Sequence, residues 1–187
     1  SYPDPAANRN VKNILVEHCV LWNAEPGNAV EIGYEVRCDE ISDITFRDLD
    51  IVHCEYEGNQ SGGVLTIHNA DRAHIHDIVY EDIRVEDAQE KFVDIKVLDS
   101  KYSLDRKRGS VENIYFRNVE ILNGNFPVSI IRGFEMHTEM SRPRNIYFDN
   151  VVVLGKQVES PSDLHMVVEL SDDILFNGTA HAKRNPF

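Results

Sequence analysis

Carboxylate, imidazole and cationic side chains recur at equivalent places in successive segments of the chain. Glu31 and Glu35 flank a tight Gly33-Tyr34 turn, and His68 ends a later segment. Cleavage of a glycosidic bond needs two carboxyl groups on either side of that bond. The best catalytic candidates are therefore Glu31, Glu35 and His68, although the sequence leaves the catalytic residues unassigned. We predict that the substrate-binding residues are Asn28, Glu31, Tyr34, Glu35, Thr66, His68, Asp94, Lys96 and Arg132.

The other polar groups are weaker indications of a functional site. A charged face is typical of any solvated strand, so the stripe alone does not establish a site. His74 and His76 lie on one strand face without a third ligand, and we predict no metal and no cofactor. Asp172-Asp173 resembles an acid pair but follows the last repeat, where it fits the edge of a capping element. Three scattered cysteines are not a disulfide framework, although a Cys38–Cys54 pair stays open.

A sequence motif that occurs five times predicts the strands that position these residues. Each copy alternates apolar and polar residues around an isoleucine, which is the period of a half-buried strand. Each copy continues into a second alternating stretch and then a third. The third strands are predicted at 29–34, 64–68, 92–97, 128–132 and 166–170. The anchoring isoleucines, spaced by 30, 34, 36 and 32 residues, are Ile14, Ile44, Ile78, Ile114 and Ile146.

The repeat predicts an all-β, right-handed parallel β-helix of about five coils, each with three short strands. No segment between copies is long enough for a packing helix, so each repeat forms one coil, rising by about 4.8 Å. The isoleucines should stack in one buried column, and the predicted binding residues should line one groove. We expect a single domain over 1–187, with an N-terminal edge at 1–10, coils at 11–170 and a cap or tail at 171–187.

Asn or Asp precedes all five anchoring isoleucines, and a second polar position follows. Asx side chains bond nearby backbone groups at turns and tolerate left-handed geometry, so stacked copies should form side-chain ladders. A calcium stack would need denser carboxylates than these repeats offer. The second polar position is occupied by His18, Asp48, Asp82, Asn118 and Asn150.

The charge of the chain limits its partners. Lys plus Arg is 19 and Asp plus Glu is 32, so the formal charge is −13 and nucleic acid is disfavoured. No apolar run approaches the roughly 18 residues that cross a bilayer, so no membrane partner is predicted. An open β-helix end exposes core. We therefore expect upstream coils or another chain at the N-terminal end, and Ile174-Leu175-Phe176 with the tail at the other. The basic segment Lys101 to Arg108 should overhang the third-strand face.

The run from Val11 to Asn23, followed by Gly27 to Glu35, resembles the pectin-lyase-fold glycoside hydrolases. These are the polygalacturonase-like proteins of family 28 and the dextranase-like proteins of family 49. The resemblance extends through nearly all of residues 11–155. It implies a carbohydrate-active β-helix and favours an extracellular or periplasmic location, which the N-terminus itself does not indicate.

The chain departs from the polygalacturonase pattern at two cationic anchors. Gly27-Asn28-Ala29 occupies the place of the Gly-His-Gly motif, and Thr66-Ile67-His68 that of the Arg-Ile-Lys tripeptide that binds the sugar carboxylate. A site without that cationic fork suits a neutral glycan better than a uronate. The family's catalytic aspartates lie in earlier coils and have no match between Ser1 and Glu25. The resemblance therefore implies the C-terminal portion of such an enzyme.

The favoured function is the C-terminal part of a glycoside hydrolase that cleaves O-glycosidic bonds in a polysaccharide or oligosaccharide. Whether this chain is itself an enzyme stays open, and alone we expect it to be inactive. One alternative is a polysaccharide lyase of the same fold, which would need a base and usually calcium. Another is a non-catalytic glycan-binding or tailspike-like β-helix, which the fold alone does not distinguish.

Overall fold

Long and short strands alternate along the chain in the computed structural model, which describes residues 10–24, 28–55, 62–125 and 128–178. Gly27, the predicted edge up to residue 9 and the tail from residue 179 lie outside these ranges. A 3-10 helix over Pro161–Leu164 precedes the thirteenth strand. In chain order the strands of the described residues are β1 (Val11–Asn23), β2 (Val30–Ile32), β3 (Glu40–Cys54), β4 (Leu65–Asn69), β5 (His74–Val85), β6 (Val93–Val97), β7 (Ser110–Ile121), β8 (Ile130–Arg132), β9 (Phe134–Met136), β10 (Glu139–Ser141), β11 (Arg144–Val153), β12 (Lys156–Gln157), β13 (Val167–Glu169) and β14 (Asp172–Phe176).

Equivalent strands stack in parallel, one repeat after another. The long strands pair in the order β1-β3-β5-β7-β11, and β14 pairs with β11, to form sheet A. The short strands pair in the order β2-β4-β6-β8-β13 to form sheet B. The chain makes four complete turns between β1 and β11, and a fifth coil begins there. The predicted parallel β-helix is confirmed, with one shared apolar core between the sheets.

The anchoring isoleucines form one column in sheet A, as predicted. The four from Ile44 to Ile146 are buried, whereas Ile14, on the first strand, is 39% exposed. Two positions later, aromatic rings from Phe46 to Phe176 form a second column with centroids 4.7–5.2 Å apart. Burial of both columns supplies the hydrophobic stabilisation that each coil lacks alone.

Left-handed residues bend each long strand without ending it. The Asn or Asp before each isoleucine has φ between +53° and +57°, and the second polar position has φ between +50° and +56°. Their side chains form the predicted ladders in part, as where Asn150 donates to Asn118 (2.9 Å) and Asn118 donates to Asp82 (2.9 Å). The first two predicted strands of each repeat are therefore one bent strand, because a single left-handed residue leaves the hydrogen-bond ladder on both sides intact.

A sixth copy of the repeat, which the sequence analysis missed, lies in β14. Ile174 pairs with Ile146, and Asp173 before it has φ +55°. Asp172 and Asp173 begin β14, the strand that pairs with β11 at this end of the stack, as expected for the edge of an element that covers it. The copy was missed because it follows Ile146 after 28 residues, fewer than in the other repeats. The cysteines of the described residues, including Cys38 and Cys54, are free thiols.

Candidate functional site

Sheet B brings most of the predicted binding residues onto one outer face. Its central isoleucines, such as Ile67 and Ile95, point into the core, so the residues on either side of them point outward. One outward column contains Glu31, Thr66 and Asp94. The neighbouring column contains His68, Lys96, Arg132 and Glu169. Their shared face agrees with the predicted groove, in which Arg132 lies two coils from His68.

Three residues predicted as open to solvent on this face are instead fully buried. Thr66, His68 and Asp94 have no exposed surface, because other segments cross over them. Gly63 lies so close that an added Cβ would be 2.6 Å from Thr66 Cγ2 and 3.3 Å from Asp94 Cβ. The Thr66 hydroxyl donates to the Val30 carbonyl (3.0 Å) and is therefore used in a hydrogen bond to the backbone. The prediction that Thr66 binds substrate is not supported.

Four ionisable side chains meet around His68, which lies next to Tyr34, and we call Glu31, His68, Asp94 and Lys96 the polar cluster. His68 Nδ1 lies 2.8 Å from Glu31 Oε1. On the other side, His68 Nε2 lies 3.3 Å from Asp94 Oδ2, without the alignment of a hydrogen bond to any described residue. Lys96 Nζ donates to the same Asp94 oxygen at 2.9 Å. Positive and negative groups thus alternate across three coils.

Tyr34 covers this cluster because the chain passes very close to His68. Gly33 has φ +155°, and a Cβ there would lie 2.7 Å from the His68 carbonyl oxygen. Glycine is therefore required at this approach. The ring of the next residue, Tyr34, lies 4.9 Å from the imidazole, centroid to centroid. The close approach at Gly33 thus places an aromatic ring against the buried imidazole.

The remaining predicted residues have different places. Asn28 donates to Glu31 Oε2 (2.6 Å) and accepts from the Gly63 amide (2.7 Å), so it holds Glu31 in position. Glu35 is exposed and is not a member of the polar cluster. Arg132 is exposed and donates to Glu169 (2.7 Å), which gives it a carboxylate of its own.

Two features of this face were missed by the sequence analysis. Lys91 is nearly buried, 3.0 Å from the buried carboxylate of Glu90 and 3.8 Å from Asp94. Tyr102 sits edge-on to Tyr34, with ring centroids 6.4 Å apart. This contact places one residue of the basic segment beside Tyr34, just after β2 of sheet B. An aromatic residue inside the longest repeat was the signal that could have identified it.

Opposing effects set the protonation of the cluster. Burial disfavours the imidazolium, but Asp94 and Glu31 outweigh it and raise the pKa of His68 above its usual value. Burial also disfavours the carboxylate of Asp94, yet His68 and Lys96 outweigh it and lower its pKa. Both shifts favour the ion-paired forms of His68 and Asp94.

The charge on His68 predicts a pH dependence of stability. Because its pKa is raised on folding, its contribution is complete below pH 6.5, the usual histidine value, and is lost as the pH rises through the raised pKa. We expect the free energy of unfolding, measured by urea titration, to fall over this range. His68→Gln should flatten that fall.

A second histidine provides the comparison for this titration. The pKa of His53 is raised by Glu55 and Asp87 in spite of burial. His53→Gln should therefore remove only the part of the fall in unfolding free energy that His53 itself causes. A profile that keeps its full slope in His68→Gln would contradict a charged His68. At the acid end, Asp94 should lose its contribution as the pH drops below 3.8, because its pKa is lowered on folding.

The geometry limits what the polar cluster does chemically. An acid–base pair for glycoside hydrolysis must leave room for the sugar between its two carboxyl groups. Here the His68 ring fills the space between Glu31 and Asp94. These two carboxylates therefore do not flank a scissile bond in this arrangement. Of its four members, Glu31 and Lys96 keep part of their side chains exposed and can bond to hydroxyl groups, while the buried His68 and Asp94 hold them in position.

Other polar groups do not form a competing centre. The rings of His74 and His76 are 4.2 Å apart, but each bonds to carboxylates, as His74 does to Glu112 (2.7 Å). Within the described ranges, no group of three or more His, Cys, Asp or Glu side chains has the geometry to hold a metal ion. No helix in that part of the chain is long and apolar enough to span a membrane.

A cavity of about 370 Å³ lies elsewhere, between the turn at Gly124 and the 3-10 helix. Its walls include Val153, Lys156 and His165, and it shares no residue with the polar cluster. The interpretation of sheet B as a binding face therefore depends on its charges and aromatic rings. Scans of the sequence against protein-family models and curated proteins, and of the fold against solved structures, gave no match.

Proposed function

We propose that this chain is a carbohydrate-active β-helix that binds a neutral glycan along the outer face of sheet B. In this proposal it serves a glycoside hydrolase that cleaves O-glycosidic bonds in a polysaccharide. The polar cluster beneath Tyr34 is the observation that supports it. Burying charges costs desolvation energy that apolar residues would avoid, so such a cluster is more typical of a functional site than of a stabilising core.

The pairing of charges supports a neutral ligand. Lys96 is matched by Asp94, Arg132 by Glu169, and His68 by Glu31, so the cations of this face already have carboxylate partners. A uronate chain would have to compete with these carboxylates and with the net charge of −13. Hydroxyl groups can instead bond to carboxylates and to cations alike, while Tyr34 offers an apolar ring to a pyranose.

The resemblance to pectin-lyase-fold hydrolases supports the reaction class. In that reaction one carboxylic acid protonates the leaving oxygen while a second carboxylate activates water. Because His68 separates Glu31 from Asp94, we assign sugar binding to the exposed edge of the cluster, Glu31 and Lys96, and the acid–base pair to residues outside it. The same observation favours a second candidate function, a glycan-binding β-helix without catalysis.

Titration of the 187-residue chain with neutral oligosaccharides tests the binding face. We expect Tyr34→Ala to weaken binding about fivefold to tenfold, because it removes the ring that covers the cluster. Glu31→Gln should weaken it by a similar factor, since a charged acceptor is replaced by a neutral one. Glu120→Gln is the matched control, because Glu120 is exposed on sheet A. Isothermal titration calorimetry gives the dissociation constants.

Three outcomes of the same experiment would contradict the proposal. Unchanged affinity in both variants would remove the binding face from sheet B. Tight binding of oligogalacturonate that is lost in His68→Ala would overturn the neutral ligand. Turnover of a glycan by the isolated chain, abolished in Glu31→Gln, would show that Glu31 is catalytic.

A further inference from the structure

The longest repeat carries a loop that the coil itself does not need. The connection from β6 to β7 is twelve residues long, 98–109, whereas the equivalent connection from β4 to β5 has four, 70–73, and we call the longer one the overhanging loop. The tip of this loop is ordered by its own bonds. The Ser100 amide donates to Ser103 Oγ (3.0 Å), and the Tyr102 amide donates to Ser100 Oγ (3.1 Å). A loop whose tip is fixed by its own hydrogen bonds has a defined conformation, as functional surface loops often do.

Two buried charged groups hold the base of the overhanging loop. Asp71 is fully buried and accepts the amides of Leu104 (2.8 Å) and Asp105 (2.9 Å). The Arg108 side chain is only 3% exposed, and its guanidinium donates to the carbonyls of Ala70, Leu98 and Asp105. One anion thus binds loop amides while one cation binds loop carbonyls.

Charge pairs then connect the loop to earlier coils. Arg72 donates to both carboxylate oxygens of Asp105 (3.1 and 2.9 Å) and to Asp39 (3.1 Å). Arg37 lies 3.7 Å from Asp105. Burying Asp71 and Arg108 is expensive and is not needed to close the coil, so a fixed loop position is what the network provides.

That fixed position puts an aromatic wall beside the polar cluster. Tyr102 is edge-on to Tyr34, which in turn covers His68. About half of Tyr102 remains exposed, so the ring stands in solvent beside Tyr34 and is not part of the core. A wall fixed before the ligand arrives adds to specificity without an ordering cost at binding.

We propose that the overhanging loop is a preformed wall of the glycan groove and selects chains without a branch on that side. This inference rests on the proposed function and names its substrate class more closely. A linear chain can pass along sheet B beside Tyr102, whereas a branch sugar on the same side would collide with the ring. Discrimination by collision with a rigid group is a common route to specificity.

An array of neutral oligosaccharides, in which each linear backbone is paired with a branched derivative, tests the proposal. We expect the chain to bind the linear member about tenfold or more tightly than the branched one, as a rigid steric clash would produce. Tyr102→Ala should bring this ratio close to one. Arg108→Gln should reduce the ratio too and speed hydrogen exchange at the Leu104 and Asp105 amides. Arg106→Gln, an exposed change in the same loop, should do neither.

The outcomes separate this inference from the proposed function. Equal binding of linear and branched members, or a ratio that Tyr102→Ala leaves unchanged, would overturn the wall while glycan binding stands. Absence of binding to every neutral oligosaccharide would overturn both proposals. Tyr102→Ala alters only a half-exposed ring, so its result does not depend on whether Arg108→Gln folds.

Discussion

Replacing Ile78 with aspartate is expected to destabilise the chain by more than about 4 kcal/mol, enough to abolish its folded state in mild urea. Ile78 is fully buried in the middle of the isoleucine column, between Ile44 and Ile114. A carboxylate there would lose its water and meet only apolar neighbours. Because each coil is stabilised by its neighbours, loss of a central coil should unfold both halves. Far-UV circular dichroism during urea titration measures the change.

The same column offers a matched control. Ile14 occupies the equivalent position on the first strand but is 39% exposed. Ile14→Asp should therefore cost about 1 kcal/mol or less, because its carboxylate can remain in water. Similar losses at both positions would mean that the column is not the core of a stacked coil.

The fold was predictable because its signals are local. Strict alternation around each isoleucine and an Asx residue before it both act over a few positions, so one sequence shows them. The number of separate strands was not predictable from the sequence. It depends on whether a left-handed residue such as Asp77 interrupts the hydrogen-bond ladder. The copy at Ile174 was missed for a similar reason, since its spacing reflects the length of a turn and not the register of the sheet.

The sequence predicted which residues of the candidate site share one face of the sheet. It did not predict that some of them are buried. Parallel register places Glu31, Asp94 and His68 on one face, as the repeat spacing indicated. Their burial depends on segments that cross the face, at Gly33-Tyr34 and Gly63, which no alternation pattern reveals. The loss of family cations at the tripeptide position predicted a face without the pair of cations that binds a uronate, although Lys96 was expected on that face. In the structure Lys96 supplies a cation from the next coil, already matched by Asp94.

Removing the shared carboxylate of the cluster should have the second large effect. Asp94→Ala is expected to cost about 3–5 kcal/mol, the usual result of breaking a buried ion pair by deleting one partner. His68 and Asp94 are both fully buried, so water does not replace the lost carboxylate easily. Glu169→Ala is the matched control, because its pair with Arg132 lies on the same sheet with about half of each side chain exposed. That change should lower the free energy of unfolding by about 1 kcal/mol or less, as is usual for surface ion pairs.

A triple variant separates stability from function at this cluster. Replacing His68, Asp94 and Lys96 together by apolar residues of similar size, as in His68→Leu, Asp94→Leu and Lys96→Met, should restore most of the stability, because whole buried ion networks are often replaceable by apolar contacts. If the cluster exists for binding, the refolded variant should still fail to bind the neutral oligosaccharides that the parent chain binds. A triple variant as unstable as Asp94→Ala would instead assign the cluster to folding. Equal costs for Asp94→Ala and Glu169→Ala would show that the cluster is not the desolvated network on which the binding proposal depends.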